Sequence, residues 1–467
     1  MKLEDIISGT DARIIHGSAA SEIRSICSDS RKACPGSLFI AVKGCAVDGH
    51  DFIDAALEAG AEAVISTDRR GLALCAAQFY DNPSHKLKLV GITGTNGKTT
   101  TVTLLYRFFM GLGYNCGLLS TIANYVGTRR SETTNTTADP ITINSLLAGM
   151  VAEGCSYCFM EVSSIGVEQE RVAGLKFAAG IFSNLTHDHL DYHKTFAEYL
   201  RCKKMFFDSL GPDAVAITNT DDRNGLVMVQ NTAAKVITYS CKSNSDHNCR
   251  IMEQSFDGML LKIDGIEAWT RLIGEHNAYN ILAIYTTAVT LGCSRADALV
   301  GISNLTSAPG RLENLRGPRN LSVIIDYAHT PDALENVLKT LRAIAPRNEL
   351  VCLFGCGGDR DRTKRPEMAA VAEKYADRIF VTSDNSRTEK PESILEEIRA
   401  GFSPAGLSKS IFITDRREAI RTAIITAKEG SSILLAGKGH ETYQIIGTEH
   451  LHFDEREIVS ETYKTLN

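Results

Sequence analysis

No uninterrupted apolar run in this chain approaches the roughly 18 residues that a membrane-spanning helix requires, which excludes membrane insertion from the expected architecture. A basic excess is also missing. Lys and Arg number 50 against 56 Asp and Glu, so nucleic acid is not an expected partner. The opening Met1-Lys-Leu-Glu-Asp5 carries acidic residues where a secretory signal needs a basic region followed by an apolar one, and the expected location is the cytoplasm. No short repeat and no low-complexity tract is found. A second C-x-x-C pair is lacking as well: Cys155 and Cys158 stand alone, so zinc is not expected there. The 13 cysteines are an odd number scattered through apolar contexts such as Val351-Cys-Leu-Phe354, a pattern that suits reduced, buried thiols.

What is present is most informative between Lys88 and Thr101. The apolar run Leu89-Val90-Gly91-Ile92 ends in a glycine turn that delivers Lys98, Thr99 and Thr100 onto the start of a helix. This is the strand–loop–helix context of a phosphate cradle. Gly94 and Gly97 let backbone N–H groups approach an anion, and the helix N-terminus adds partial positive charge. Lys98 can reach terminal phosphates, and the hydroxyl of Thr99 or Thr100 can ligate Mg²⁺. A strict Walker A motif needs glycine where Ile92 stands, so the motif here is the shorter Gly94-x-x-Gly97-Lys98-Thr99. The competing interpretation is a plain glycine turn between a core strand and a helix.

With 467 residues there is room for about three domains. Residues 1–86 alternate short apolar runs (Ser37 to Val42, Ala63 to Ile65) with a helix-like stretch from Phe52 to Ala59, and Asp81-Asn-Pro-Ser-His85 is a turn signal. Residues 87–308 alternate helices with apolar strands at Tyr157–Met160, Ala178–Phe182, Ala214–Ile217 and Val236–Tyr239, which predicts a largely parallel sheet covered on both faces. An antiparallel excursion is expected over residues 241–272, with a helix from Ala278 to Leu291. Residues 309–467 follow a breaker-rich segment and repeat the alternation without a Gly-Lys-Thr loop. The expected class is α/β in three domains: a small N-terminal α/β domain, a central P-loop-type parallel-sheet domain, and a C-terminal Rossmann-like doubly wound domain. Ligands of such sheets sit at the carboxyl ends of strands, and the polar clusters of this chain fall there.

Glu161 closes one such strand beside the phosphate loop, where a hard oxygen ligand for Mg²⁺ would be placed. Asn184-Leu-Thr-His-Asp-His-Leu-Asp-Tyr-His193 concentrates three histidines and two aspartates; metal and phosphate chemistry competes there with a solvated capping turn. Lys203 lies on a predicted helix on the side of Phe207, and by itself would be taken for an exposed helix lysine. Gly274-Glu-His-Asn-Ala-Tyr-Asn280 opens a helix whose amides could stack near an adenine. Gly355-Cys-Gly-Gly-Asp-Arg-Asp-Arg362 is a second glycine-rich turn, with arginines able to grip anionic oxygens.

Taken together these residues resemble the Mur ligase family, ATP-dependent amide-forming enzymes of bacterial cell-wall precursor synthesis. The resemblance runs nearly the whole length and rests on Gly94–Thr99, Asn135-Thr-Thr137, Glu161-Val-Ser-Ser164, Asn184 with His189-Leu-Asp-Tyr-His193, His276-Asn277, Pro309-Gly-Arg-Leu-Glu313 and Asp326-Tyr-Ala-His-Thr-Pro331. Asp29-Ser-Arg31, Gly355–Arg362, Asp384-Asn-Ser-Arg387 and Ala436-Gly-Lys-Gly-His-Glu441 make it most similar to the MurE type, which adds the third amino acid to UDP-N-acetylmuramoyl-L-alanyl-D-glutamate.

The resemblance implies roles by position. Ser30 and the turn near Gly44 would hold the uridine nucleotide, and Asn135, Thr136, Thr137, Ser163, Gln169 and Arg171 the muramoyl-dipeptide. Gly94, Thr95, Asn96, Gly97, Lys98, Thr99 and Thr100, with Asn277, Arg311 and Asp326, would bind ATP. Thr99, Glu161 and His189 would hold Mg²⁺, joined by Lys203, which aligns with the family's carbamylated lysine and would carry a CO₂-derived carbamate. Lys98, His189 and Lys203 would be catalytic. Arg360, Asp384, Asn385, Ser386, Arg387, Gly437 and Glu441 would bind the incoming amino acid, with Arg387 selecting meso-2,6-diaminopimelate. The third domain would close over the acyl phosphate while carrying that amino acid. Expected partners are these small molecules alone, and the expected state is a monomer. Alternatives are the same reaction with L-lysine, a folylpolyglutamate synthetase, and a non-catalytic nucleotide-binding scaffold. The sequence departs from the family pattern at Cys45-Ala46, at Ile165 and at Ser386, where serine replaces proline and is expected to loosen the turn.

Overall fold

Strands form where the sequence concentrates β-branched and aromatic apolar residues, and most of the parallel ones are followed by a helix that must bury an apolar face against the sheet. The computed structural model describes residues 1–44, 47–186 and 190–466, with only the backbone at 190 and 191. In the N-terminal part, β1 (Arg13–His16), β2 (Ser25–Cys27), β3 (Ser37–Ala41) and β4 (Ala63–Ser66) form a sheet ordered β1-β4-β3-β2. Only β1 runs antiparallel. Leu38, Ile40, Ala63 and Ile65 build its core against Leu3, Ile6, Cys75 and Ala76.

The next strands are β5 (Lys88–Thr93), β6 (Cys116–Leu119), β7 (Asn124–Val126), β8 (Arg129–Ser131), β9 (Tyr157–Glu161), β10 (Phe177–Phe182), β11 (Val215–Asn219) and β12 (Lys235–Ser240). They run in the order β12-β11-β10-β5-β9-β6-β7-β8. Pairing is parallel from β12 to β6 and antiparallel at β6–β7 and β7–β8. β5 therefore sits between β9 and β10, so the phosphate-loop glycines and Glu161 emerge side by side. Strand β5 is buried along Leu89–Thr93, and at Gly91 even a Cβ would lie 2.7 Å from the Phe206 ring.

The expected excursion is an antiparallel ribbon of β13 (His247–Ser255), β14 (Gly258–Ile263) and β15 (Ile266–Thr270). The following helix spans Glu275–Thr290 and starts three residues before the expected Ala278, because the polar run Glu275-His-Asn277 is already helical.

In the C-terminal part, β16 (Glu313–Arg316), β17 (Ser322–Asp326), β18 (Leu350–Phe354), β19 (Arg378–Val381), β20 (Ser410–Phe412) and β21 (Ser432–Ala436) are ordered β16-β17-β21-β18-β19-β20. All but β16 are parallel. Apolar side chains on the two faces feed separate cores, Ile324, Cys352, Phe354 and Leu434 on one and Val323, Val351, Leu353 and Ile433 on the other. This is the doubly wound arrangement expected. A hairpin of β22 (Tyr443–Ile446) and β23 (Glu449–His452) follows. The chain divides into two units, Met1–His247 with Ala283–Ser294, and Asn248–Leu282 with Arg295–Asn467. Among the described residues no helix is long and apolar enough to cross a membrane.

Candidate active site

The first unit carries the phosphate loop. β5 ends at Thr93, Gly94 takes φ 152° and Gly97 φ 87°, and helix Lys98–Gly111 begins at once. A Cβ on Gly94 would lie 1.9 Å from Ser183 Oγ, so no side chain fits. The loop is pinned from β10's end: Asn96 N–H donates to Asn184 Oδ1 at 2.9 Å, Thr95 N–H to Asn184 O at 2.9 Å, and Ser183 Oγ to Asn96 O at 2.7 Å. Lys98 Nζ folds back onto Gly94 O at 2.8 Å and Thr95 O at 2.9 Å. Thr99 and Thr100 are buried at the first turn.

Thr99 Oγ1 donates to Glu161 Oε2 at 3.0 Å, and Thr121 N–H donates to Oε1 at 2.8 Å. Glu161 is fully buried, and among the described residues it has no cationic partner. A buried carboxylate beside a threonine hydroxyl is a hard oxygen pair that fits a divalent cation. Lys203 is 1% exposed on helix Phe196–Asp208, which overturns its reading as a solvent-facing lysine. Phe206 and Phe207 anchor that helix in the core, and the register swings Lys203 inward over the Tyr199 ring (4.6 Å) to donate to Gly94 O at 2.8 Å. The neighbouring Lys204 turns the other way and pairs with Asp208. His189 and Cys45-Ala46 lie outside the described residues.

The candidate dipeptide residues connect to this centre through Glu161. Thr137 Oγ1 donates to Glu161 O at 3.0 Å and accepts from Ser163 N–H at 3.0 Å, while Arg171 Nη1 donates to Thr137 O at 2.6 Å. Gln169 accepts from Arg171 and donates to Tyr192 Oη at 3.0 Å. Thr136 accepts from Thr121 Oγ1 at 3.1 Å. Asn135 is exposed on the same loop. Ser30 lies apart, after β2, in a short turn capped by Asp29, which accepts from Arg31 N–H. Tyr199, whose hydroxyl lies 3.1 Å from Thr95 Oγ1, was not legible as a site residue, since an isolated helix tyrosine carries no local signal.

The second unit carries the other candidates. Asp326 ends β17 and accepts from Leu312 N–H at 2.7 Å and Ala328 N–H at 2.8 Å; burial pushes its carboxyl up, against the pull of Arg311. Arg311 lies over the Tyr327 ring at 4.9 Å, and its buried Nε has no hydrogen-bond partner. Asn277 is buried and donates to Ile273 O at 2.8 Å, holding the helix start. Burial draws His276 down to about 4, and burial with Arg311, Arg456 and His329 does the same to His440.

The loops after β19 and β21 bring charged side chains together. Asp384, Asn385 and Ser386 are buried, and a Cβ on Gly437 (φ 116°) would lie 2.7 Å from Asp384 Oδ2. Burial works against the Asp384 carboxylate, but Lys438 and Arg416 outweigh it and hold the carboxyl below its usual range. Burial raises Glu441, with Lys438 opposing. Arg387 adopts φ 49° and donates through Nη1 to Gly358 O at 2.9 Å; Nε and Nη2, the edge that grips a carboxylate through parallel bonds, make no hydrogen bond or ion pair among the described residues.

The expected loosening at Ser386 is not seen. Strand β22 runs along this segment: Arg387 N–H donates to Ile445 O at 3.2 Å, Gly447 N–H to Arg387 O at 2.8 Å, and Gln444 Nε2 to Asp384 O at 2.9 Å. Backbone pairing supplies the stiffness that proline would give. Arg360, by contrast, is exposed and joins none of these contacts. The sequence reading missed Lys438, although a cation between two glycines after an apolar strand is a usable signal. It also missed the fully buried pair Arg416–Glu455 (2.8 Å), whose members lie far apart in sequence.

Three family profiles match in order along this chain: "Mur ligase family, catalytic domain" over residues 22–87, "Mur ligase middle domain" over 92–288, and "Mur ligase, glutamate ligase domain" over 310–439. A relative from Cytophaga hutchinsonii is 47% identical over 484 residues, spanning 100% of both chains. The chain belongs to the Mur ligase family. That relative is named UDP-N-acetylmuramoyl-L-alanyl-D-glutamate–2,6-diaminopimelate ligase, as is one from Phocaeicola vulgatus, 48% identical with 99% of each chain covered. A solved structure of the same name superposes with a TM-score of 0.73 at 31% identity, covering 100% of this chain and 99% of that one. A Mycobacterium tuberculosis folylpolyglutamate synthase (TM-score 0.65, 17% identity, 79% of this chain and 92% of that one) shares the fold alone. The family is one of ATP-dependent ligases, and this Mur ligase is an enzyme of that class.

Proposed function

We propose that this Mur ligase joins meso-2,6-diaminopimelate to the glutamyl carboxylate of UDP-N-acetylmuramoyl-L-alanyl-D-glutamate, the reaction for which its full-length relatives are named. The observation that carries the choice of amino acid is Arg387: its guanidinium is fixed at one nitrogen while its bidentate edge stays open. Diaminopimelate and L-lysine differ by one distal carboxylate, and that edge is suited to bind it. Glu441 is suited to pair with the adjacent ammonium group.

A carboxylate cannot be attacked by an amine directly, because its leaving group would be oxide. Transfer of the γ-phosphoryl group of ATP makes an acyl phosphate, with Lys98 and the loop N–H groups neutralising charge as it develops. The amine then adds to the acyl carbon, and phosphate leaves from the tetrahedral intermediate. Thr99 and Glu161 would hold Mg²⁺, which when bound neutralises and orients the terminal phosphates. Lys203 as a carbamate would be a further anionic anchor, and His189 keeps the role that the resemblance gives it. Arg311, whose buried Nε has no hydrogen-bond partner, and the neighbouring Asp326 and Asn277 are assigned to ATP. Ser30 is assigned to the uridine nucleotide, and Thr136, Thr137, Ser163, Gln169 and Arg171 to the muramoyl-dipeptide. The reading divides the chain into domains 1–86, 87–308 and 309–467, acting as a cytoplasmic monomer.

The test is ATP-dependent phosphate release with UDP-muramoyl-dipeptide and a panel of amino acids. Diaminopimelate should give the highest kcat/KM. A comparable or better value for L-lysine would overturn the choice, and no release with any amino acid would overturn the reaction.

A further inference from the structure

Lys438 is fully buried, and all three of its N–H donors are committed. Nζ donates to Tyr443 O at 2.7 Å, to Asn385 Oδ1 at 2.9 Å and to Glu441 Oε2 at 3.3 Å, and it lies 3.6 Å from Asp384 Oδ1. The Asn385 amide completes the ring by donating Nδ2 to Glu441 Oε2 at 2.9 Å. Each carboxylate is thus held by one oxygen. Asp384 Oδ1 faces Lys438 and accepts from Asn385 N–H at 2.6 Å, whereas Asp384 Oδ2 and Glu441 Oε1 make no hydrogen bond among the described residues. Among Asp384, Glu441 and Lys438 alone, two carboxylates around one ammonium ion leave one negative charge in excess, which Arg387 offsets over the cleft as a whole, and two oxygens are presented for a cationic ligand. With no donor to spare, Lys438 does not itself reach that ligand.

We propose that Lys438 is the positioning residue of the amino-acid site: its ammonium ion holds Asp384, Asn385 and Glu441 so that one oxygen of each carboxylate faces the amino groups of the incoming substrate. The inference rests on the reading of this cleft as the amino-acid site. Without the central cation, two buried carboxylates would repel one another, and one would take up a proton and cease to be an acceptor for an ammonium group. The groups facing Glu441 are Lys438, Asp384, Tyr327 and Tyr443; Asp384 is faced also by Arg416 and His329.

The experiment is Lys438→Met in the full chain, read by four measurements. KM for diaminopimelate should rise about 30-fold or more, the scale of a broken pair in a coupled network. KM for ATP should not move. Phosphate release with hydroxylamine as the amine, which traps the acyl phosphate without using the amino-acid cleft, should stay within about twofold of the parent. The acid limb of the pH profile of kcat/KM for diaminopimelate should move up by about one pH unit, because Glu441 loses the cation that keeps it ionised. An unchanged KM, or a raised KM with an unmoved acid limb, overturns the proposal. If Lys438→Met fails to fold, Lys438→Met/Glu441→Gln is measured against Glu441→Gln alone: a further rise in KM below about tenfold supports action through Glu441 with a smaller share through Asp384 and Asn385, and a further rise of about tenfold or more overturns it. Should Arg387→Ala and Glu441→Gln both leave the amino-acid KM untouched, the fault lies in the assignment of the cleft rather than in Lys438.

Discussion

Lys98 and Lys203 donate to one and the same acceptor, the carbonyl oxygen of Gly94, each at 2.8 Å. Two ammonium groups on one oxygen repel, and the buried one is the costlier to keep charged. Addition of CO₂ to neutral Lys203, with release of a proton, would convert a second cation into an anion beside Lys98, which is the physical case for the proposed carbamate. In ¹³C-bicarbonate NMR the enzyme should show one slowly exchanging carbamate signal that Lys203→Ala removes and Lys204→Ala keeps. Lys203→Ala should also lose about 10²–10³ in kcat. Normal turnover by that variant would sink the assignment.

Lys98 turns back on its own loop, so its removal should disturb little beyond the phosphate cradle. Lys98→Ala is expected to lower kcat by about 10²–10³ with an unchanged melting profile, the scale of one lost charge-stabilising contact. Single-turnover acyl phosphate formation reads the step directly, and near-normal rates would remove the loop from catalysis.

Arg387 should matter to one substrate far more than to its analogue. Lysine leaves the guanidinium edge partly desolvated without an anion, a cost of roughly 2–5 kcal/mol, or about 30- to 5,000-fold in kcat/KM. Arg387→Ala should shrink diaminopimelate's advantage by that order while sparing KM for ATP. An advantage that survives the substitution would place the distal carboxylate elsewhere.

Ser386 is buried and its hydroxyl has no hydrogen-bond partner. Ser386→Pro removes that unsatisfied group and restricts the unfolded chain, so the C-terminal unit should gain about 1 kcal/mol, or about 2–4 °C in Tm. KM for the amino acid should be unchanged because β22 already fixes the turn. A lower Tm would mean that this backbone cannot accept proline.

His276 and His440 are each held neutral, at about 4 against an ordinary value near 6.5. Their folded values are depressed, so their stabilising contribution is complete above pH 6.5 and is lost as pH falls toward 4, where the unfolded chain takes up protons that the folded chain refuses. The loss is at most about 3 kcal/mol per histidine. His276→Gln/His440→Gln should therefore show a shallower decline in Tm from pH 6.5 to 4.5 by scanning fluorimetry. Parallel slopes would mean that both imidazoles are charged in the folded enzyme.

The fold was legible because its signals are local. Apolar runs marked β5, β9, β18 and β21, and the glycine spacing at Gly94 and Gly97 marked the cradle. Glu161 was legible because it ends an apolar strand. Lys203 was placed on the side of Phe207 by helical spacing and singled out by the resemblance, but its burial was not legible from its helix alone, since it depends on where Phe206 and Phe207 pack, which is a tertiary fact. Ser386 was misread for a similar reason: the strand that stiffens it lies some sixty residues on, and nothing near Asp384-Asn-Ser-Arg387 announces it. Arg416 and Glu455 are individually ordinary helix residues whose pairing no spacing rule reports.

The clamp on Arg387 is made by backbone groups of Ile445 and Gly447 and of Arg387 itself. Main-chain pairing does not depend on which side chains the hairpin displays. The side chains of β22 and β23 other than Gln444 are consequently free to drift, and two lineages could wear largely different hairpins while preserving the same choice of amino acid.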